Sequence, residues 1–196
     1  MTETETDALP RCADCGVTID WLEEPRHAES HMTFVLPRLY VGAEWNANNQ
    51  YELQRCGVDR IINVARELNH VVEHKKNTVI TRYKFRLHDS VYEMVLPDLL
   101  RCVALLQQLQ PHCVLVHCVQ GRSRSPSAIL AYMMWSQSKR LSAAVAELQA
   151  KRPCVSPNAG YMLQLHAVDV LFLGLKYGHT ASACNALTLI ADYLFC

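Results

Sequence analysis

The segment His117–Ser125 (HCVQGRSRS) combines residue types that could do chemistry together. Cys118 follows a short apolar run, Cys113 to Val116, and Arg124 opens a helical-looking stretch. A cysteine at the end of a strand, a turn of small and polar residues, and an arginine at a helix start make a nest of backbone N–H groups. That nest faces the positive end of a helix dipole. Such a place binds a tetrahedral oxyanion and favours a thiolate. A nucleophile in a phosphate cradle points to phosphate-ester hydrolysis through a cysteinyl-phosphate. A bare C-x5-R is a weak signal, but of the nine cysteines only Cys118 has an arginine six positions on. His117 before it, Gly121 at the turn, Ser125 after Arg124, and a strand and a helix on either side give the motif its weight.

The elements that must position this segment can be read from periodicity. Phe34–Leu36 and Leu39–Val41 read as short strands around Pro37. Ala47 to Cys56 is helical in composition and stops at Gly57, a C-terminal cap. Val58–Val64 and Thr78–Leu87 read as strands, and Val95–Leu109 as a helix with one apolar stripe. Cys113–His117 is a short apolar strand suited to the centre of a parallel sheet. Arg124–Gln137, Ser142–Lys151 and Asn158–Leu175 follow as helices, with Ser142 as an N-cap and Pro157 just outside the last helix. Strand and helix alternate, so the expected class is α/β: a central, mostly parallel sheet flanked by helices.

Composition excludes several roles. A 196-residue chain with a formal net charge of zero offers no electrostatic footprint for nucleic acid or an anionic membrane surface. No run is long enough for stable membrane insertion. The last four residues, Tyr193 to Cys196, are not a prenylation box. Nine unpatterned cysteines behind an acidic, polar start (MTETETDALP) read as reduced thiols in a cytoplasmic protein with possible nuclear access.

With those residues in view, about Thr33 to Leu175 resembles the cysteine-dependent dual-specificity protein phosphatases, in particular their small atypical members. Besides HCVQGRSRS, the stretch LPRLYVGAEWNANNQYELQRCGVDRIINVA looks like the family's opening strands and helix. KRPCVSPNAGYMLQL, from Lys151 to Leu165, looks like its closing helical motif. The resemblance implies the phosphatase fold, no cofactor, phosphoprotein substrates, and a shallow cleft admitting phosphoserine and phosphothreonine as well as phosphotyrosine. There is no room for the extra elements that deepen the pocket of the larger tyrosine-specific enzymes. The implied domains are a tail over 1–30, a catalytic domain over 31–176 and a helical extension over 177–196.

On this reading Cys118 is the nucleophile and Arg124 grips two phosphate oxygens with its planar fork. Ser125 hydrogen-bonds the thiolate and helps it depart. His117 orients the loop and Gly121 permits its backbone conformation. Val119, Gln120, Arg122 and Ser123 contribute mainly amides. Asp89, in RLHDSVYE after a strand, matches the family's acid-loop position and would protonate the leaving oxygen; Glu93 is the fallback, and Asp98 lies inside a predicted helix. Asn158 matches a family position that caps or braces. The family commonly carries alanine where Gln120 stands and an apolar or aromatic residue where Arg122 stands. A basic rim would suit phosphoinositides or other phospholipids, which is the second reading. The third, a phosphoprotein-binding module without activity, conflicts with the retention of Cys118, Arg124 and Asp89 together.

Cys12, Cys15, His27 and His31 spell C-x2-C-x11-H-x3-H, close to a zinc-finger spacing. Pro25 would break the helix presenting the two histidines, and few apolar residues are present to form a finger core. The expectation is therefore a tail with an incidental CxxC and no metal. His70 and His74 read as solvent-facing, and Ala181–Cys196 as an apolar helix packing on the domain.

Overall fold

The computed structural model describes residues 11–13, 16, 30–68 and 80–177. Cys15, His27, His70, His74 and the Ala181–Cys196 stretch lie outside them. In chain order the elements are β1 Thr33–Leu36, β2 Leu39–Gly42, α1 Glu44–Asn48, α2 Gln50–Arg55, β3 Arg60–Ala65 and β4 Thr81–Leu87. There follow α3 Leu96–Gln108, β5 Val114–His117, α4 Arg124–Ser136, α5 Leu141–Lys151 and α6 Ala159–Tyr177. The strands form one sheet in the order β1-β2-β5-β3-β4. β1 runs antiparallel to β2, and the other pairings are parallel. The expected α/β class with a mostly parallel sheet is the one observed.

Alternation along the central strands decides which face each residue serves. Val114 and Val116 of β5, with Ile62 and Val64 of β3, join the large core under α3 to α6. Leu115 and Ile61 point the other way, into a smaller core with Met32, Ala47, Leu53 and Val58 beneath α1 and α2. Both Leu115 and Ile61 are fully buried, and each such side chain stabilises the fold by ~1.5–3 kcal/mol. Helix α4 is wrapped by α3, α5 and α6, so almost every residue on it is buried. Among the described residues, no helix is long and apolar enough to cross a membrane.

Three boundaries differ from expectation, each for a local reason. The helix expected over Ala47–Cys56 is two helices, because Asn49 leaves helical geometry (φ −84°, ψ 93°) and its side chain accepts from Glu52 N to cap α2. Gly57 does terminate α2 with a positive φ of 67°. Helix α5 starts at Leu141 with Arg140 as its N-cap residue, so Ser142 lies inside the first turn and caps nothing. Helix α6 starts one residue after Asn158, whose Oδ1 accepts from Tyr161 N at 3.0 Å.

Candidate active site

Strand β5 lies between β2 and β3, with His117 in register with Gly42 on one side and Asn63 on the other. Parallel strands deliver their carboxyl ends to one edge, the usual place for a ligand crevice in such sheets. The loop 118–123 starts at that edge and ends where α4 begins.

The loop is held in shape by its neighbours. Gly121 has φ +68°, and a Cβ there would sit 2.7 Å from the Gly42 carbonyl oxygen, so only glycine fits. Glu44 N donates to Val119 O at 3.0 Å, and Ser156 N to Arg122 O at 2.8 Å. Arg152, 3% exposed, donates through Nε to Gly121 O at 3.1 Å. Its Nη1 reaches His31 O at 3.0 Å and Thr33 Oγ1 at 3.2 Å. The buried His117 ring places Nδ1 3.2 Å from the Cys118 carbonyl oxygen, which fits an orienting role. Gln120 and Arg122 are exposed at the rim.

Cys118 is 2% exposed. Its Sγ accepts from Gly121 N at 3.2 Å, and Ser125 Oγ lies 3.3 Å away. The same hydroxyl is 3.1 Å from Gly42 O. It has one proton, so a bond to sulfur competes with a bond to that carbonyl, and a negative sulfur draws the proton to itself.

Arg124 is 4% exposed and meets two carboxylates. Its Nη1 donates to Glu67 Oε2 at 2.6 Å and to Leu87 O at 3.2 Å. Its Nε lies 3.5 Å from Asp89 Oδ2, yet this buried nitrogen makes no hydrogen bond among the described residues. A buried, charged donor without an acceptor is the condition that an incoming oxyanion relieves. Burial by itself would lower the Arg124 pKa; Glu67, Cys118 and Asp89 outweigh it and hold the guanidinium above its ordinary value. Conversely, the Arg124 hydrogen bond holds the Glu67 carboxyl below its usual range, against the opposing effect of partial burial.

Asp89 sits just beyond the end of β4, and its carboxylate is 42% exposed. Ser123 Oγ and Asn158 Nδ2 both donate to its Oδ1, each at 2.9 Å. Asn158 N also donates to Ser123 Oγ at 3.3 Å, so Asn158 caps α6, braces the loop and holds Asp89. Of the two other acidic candidates, Asp98 is engaged elsewhere, pairing with Arg101 at 3.3 Å on the first turns of α3; the backbone carbonyl of Glu93 accepts from Gln164 Nε2 at 2.7 Å. Tyr161, whose hydroxyl pKa burial raises, donates to His88 O at 2.5 Å and fixes the residue before Asp89.

Sequence reasoning missed Glu67, Arg152 and Tyr161. Arg152 lies in the quoted KRPCVSPN stretch, so a family likeness was the available signal; Glu67 left none. As a unit, the site presents a buried sulfur, the Gly121 amide facing it, an anion-seeking guanidinium and two partly exposed carboxylates, those of Glu67 and Asp89.

The comparisons agree with this geometry. Residues 39–169 match the family model described as the dual specificity phosphatase catalytic domain. Over 147 residues the chain is 34% identical to the mouse protein phosphatase Slingshot homolog 3, covering 74% of this chain and 22% of that protein. The chain thus spans about a fifth of the length of this curated relative. A mouse putative dual specificity phosphatase, solved as a complex with zinc tungstate, superposes with a TM-score of 0.67 at 25% identity, covering 74% of this chain and 89% of that one. Human DUSP28 gives a TM-score of 0.66 at 25% identity, covering 72% and 95%.

Proposed function

The chain belongs to the dual-specificity phosphatase family, and from that premise we propose that it hydrolyses phosphotyrosine and phosphoserine or phosphothreonine in proteins. The catalytic unit is residues 31–176. Cys118 Sγ, as a thiolate, attacks phosphorus; the S–P bond forms as the P–O bond to the substrate oxygen breaks. Asp89 gives its proton to that departing oxygen. Arg124 and the loop amides hold the equatorial oxygens as charge shifts in the transition state. Asp89 then takes a proton from water, which attacks the cysteinyl-phosphate. Ser125 donates to the returning thiolate, and inorganic phosphate leaves.

The observation that carries this reading is the pairing of two features across one loop. One is a buried sulfur that already accepts from Gly121 N and lies beside Ser125 Oγ. The other is a buried Arg124 Nε with no hydrogen-bond acceptor among the described residues. No element other than the loop and the residues around it is needed for the chemistry. A second reading, a phospholipid substrate, rests on the exposed position of Arg122 at the rim, where it could meet a second anionic group.

The test is a substrate panel. An aryl phosphate, phosphotyrosine and phosphothreonine peptides, and phosphoinositides are offered to wild type, Cys118→Ser and Asp89→Ala. Peptide turnover that disappears in Cys118→Ser and falls in Asp89→Ala is expected. Turnover of phosphoinositides alone would replace the protein reading with the lipid one. Turnover of nothing would leave a binding module.

A further inference from the structure

One edge of the sheet collects positive charge beside the cradle. β4 is the edge strand beyond β3, and its side chains alternate between two faces. Tyr83, Phe85 and Leu87 pack on the large core. Arg82, Lys84 and Arg86 take the other face, where Arg82 meets helix α1 and its Nη2 donates to Ala47 O at 3.3 Å. Lys84 and Arg86 are exposed, as is Arg66 just past the end of β3. We propose that Arg66, Lys84 and Arg86 form a subsite for the acidic flank of a phosphopeptide substrate, taking carboxylates roughly two to four residues from the phosphorylated side chain. Such a subsite rests on the phosphatase reading of Cys118 and deepens it.

The row is tied to the site on both strands. Arg66 directly precedes Glu67, whose carboxylate holds Arg124 Nη1 at 2.6 Å. Arg66 Nη1 in turn donates to Nε2 of His88, the residue before Asp89. Lys84 Nζ donates to the carbonyl oxygens of Ala65, Arg66 and Leu68, which fixes the ammonium over the end of β3 where the crevice opens. Burial lowers the Lys84 pKa; Glu67 opposes it, while Arg86 and Arg124 push the same way as burial. The row and the catalytic guanidinium therefore share one field.

Positive charge is in excess there. The whole chain is neutral, yet among the described residues no carboxylate forms an ion pair with Arg66, Lys84 or Arg86. Arg66 leans on an imidazole instead, and Glu67, the carboxylate that acts on Lys84, is committed to Arg124. Uncompensated like charges repel, and an anionic ligand relieves that repulsion. The spacing favours an extended acidic peptide over a compact headgroup. Lys84 and Arg86 are alternate residues of one strand and so ~6.6 Å apart along it, the repeat of alternate side chains in any extended chain. β4 lies two strand spacings, about 10 Å, from β5, a distance that roughly three extended residues cover.

The test offers the full chain two phosphotyrosine peptides that differ only in whether the flanking residues are Glu or Gln. Exposed ion pairs each contribute about two- to five-fold, so kcat/KM for the acidic peptide is expected to be about ten-fold higher at low salt. That ratio should shrink in about 0.5 M NaCl. In the double variant Arg66→Gln, Arg86→Gln it should fall below about two, and Arg86→Glu should favour a Lys-flanked peptide. A wild-type ratio near one overturns the subsite, and so does a ratio that survives these substitutions. Phosphoinositide vesicles turned over by wild type but not by Arg86→Glu, with no preference between the peptides, would give the row to a lipid headgroup and overturn it too. If no peptide is turned over, the phosphatase reading fails, and fluorescence anisotropy of the same peptides on Cys118→Ser decides the subsite alone. About ten-fold tighter binding of the acidic peptide, lost in the double variant, supports it; equal binding of the two overturns it.

Discussion

Glu67→Gln tests how the guanidinium at the centre of the site is held. Glu67 Oε2 and Arg124 Nη1 are 2.6 Å apart, with the arginine 4% and the carboxylate 50% exposed. Two effects oppose each other. The carboxylate fixes the plane of a fork that must meet phosphate oxygens, but it also adds negative charge near an anionic substrate. The first acts in the transition state and so on kcat; the second acts on ground-state binding and so on KM. A hydrogen bond to a charged group contributes ~1.5–3 kcal/mol, and an exposed ion pair ~0–1 kcal/mol. With one partner half in solvent, the orienting contribution is about 1 kcal/mol, or about five-fold in rate. Glutamine keeps the shape and removes the charge. With an aryl phosphate, kcat is expected to fall about five-fold while KM stays level or drops. The sign of the pH dependence follows from the lowered Glu67 pKa. Its contribution is fully present above the ordinary carboxylate range and is lost as pH falls through the depressed value, so the two proteins converge at low pH. A kcat equal to or above that of wild type would refute the orienting role and make Glu67 a competitor for Arg124.

Arg152→Ala removes a buried fork that joins the loop to the approach to β1 through Gly121 O, His31 O and Thr33 Oγ1. A loss of about 3 kcal/mol is expected from orphaned buried groups, which for a chain of this size lowers Tm by roughly 6–12 °C; calorimetry showing a shift under about 2 °C would exclude the bracing role. Cys102 is fully buried in α3, and burial pushes its thiol up to about 12. Peptide mapping after brief alkylation near neutral pH is expected to find Cys102 unmodified, and label there would contradict its burial.

The parts of this molecule that were legible in the sequence are those encoded locally. The run from Cys113 through Ser125 specifies strand, turn and helix within a dozen residues, and β5, the loop and α4 follow it. Richness in β-branched residues gave β3, alternation gave β4, and the single apolar stripe gave α3. Asn49 was hidden because one polar residue inside a helical composition counts little until its side chain is seen capping Glu52 N. Glu67 was hidden for a different reason. It acts only because β3 lies beside β5, which brings its carboxylate to Arg124 across 57 residues. Neither apolar periodicity nor the loop motif reports that adjacency. Arg152 similarly reaches Gly121 and His31 across 31 and 121 residues.

Sheet order also explains why Asp89 depends on more than its own strand. Strands β2 and β3 flank β5 and bring Gly42 and Glu67 directly to the loop, but β4 is one strand further out. Neighbouring strands are ~4.8 Å apart, so the end of β4 lies about two such spacings from Cys118, and the acid must be reached back and tied. The ties are Ser123 Oγ and Asn158 Nδ2. Asn158→Ser keeps a competent N-cap for α6 and removes the longer donor, separating the tether from the cap. Losing one hydrogen bond to a carboxylate that is 42% exposed, and so discounted by solvent to ~1–1.5 kcal/mol, corresponds to about a five- to ten-fold loss wherever protonation of the leaving group limits the rate. An alkyl leaving group such as phosphoserine needs that proton; p-nitrophenolate leaves without it. Asn158→Ser is therefore expected to lower kcat for a phosphoserine peptide five- to ten-fold and for p-nitrophenyl phosphate by less than about two-fold. Equal losses on both substrates, with Tm unchanged, would mean that Asn158 serves the loop and not the acid.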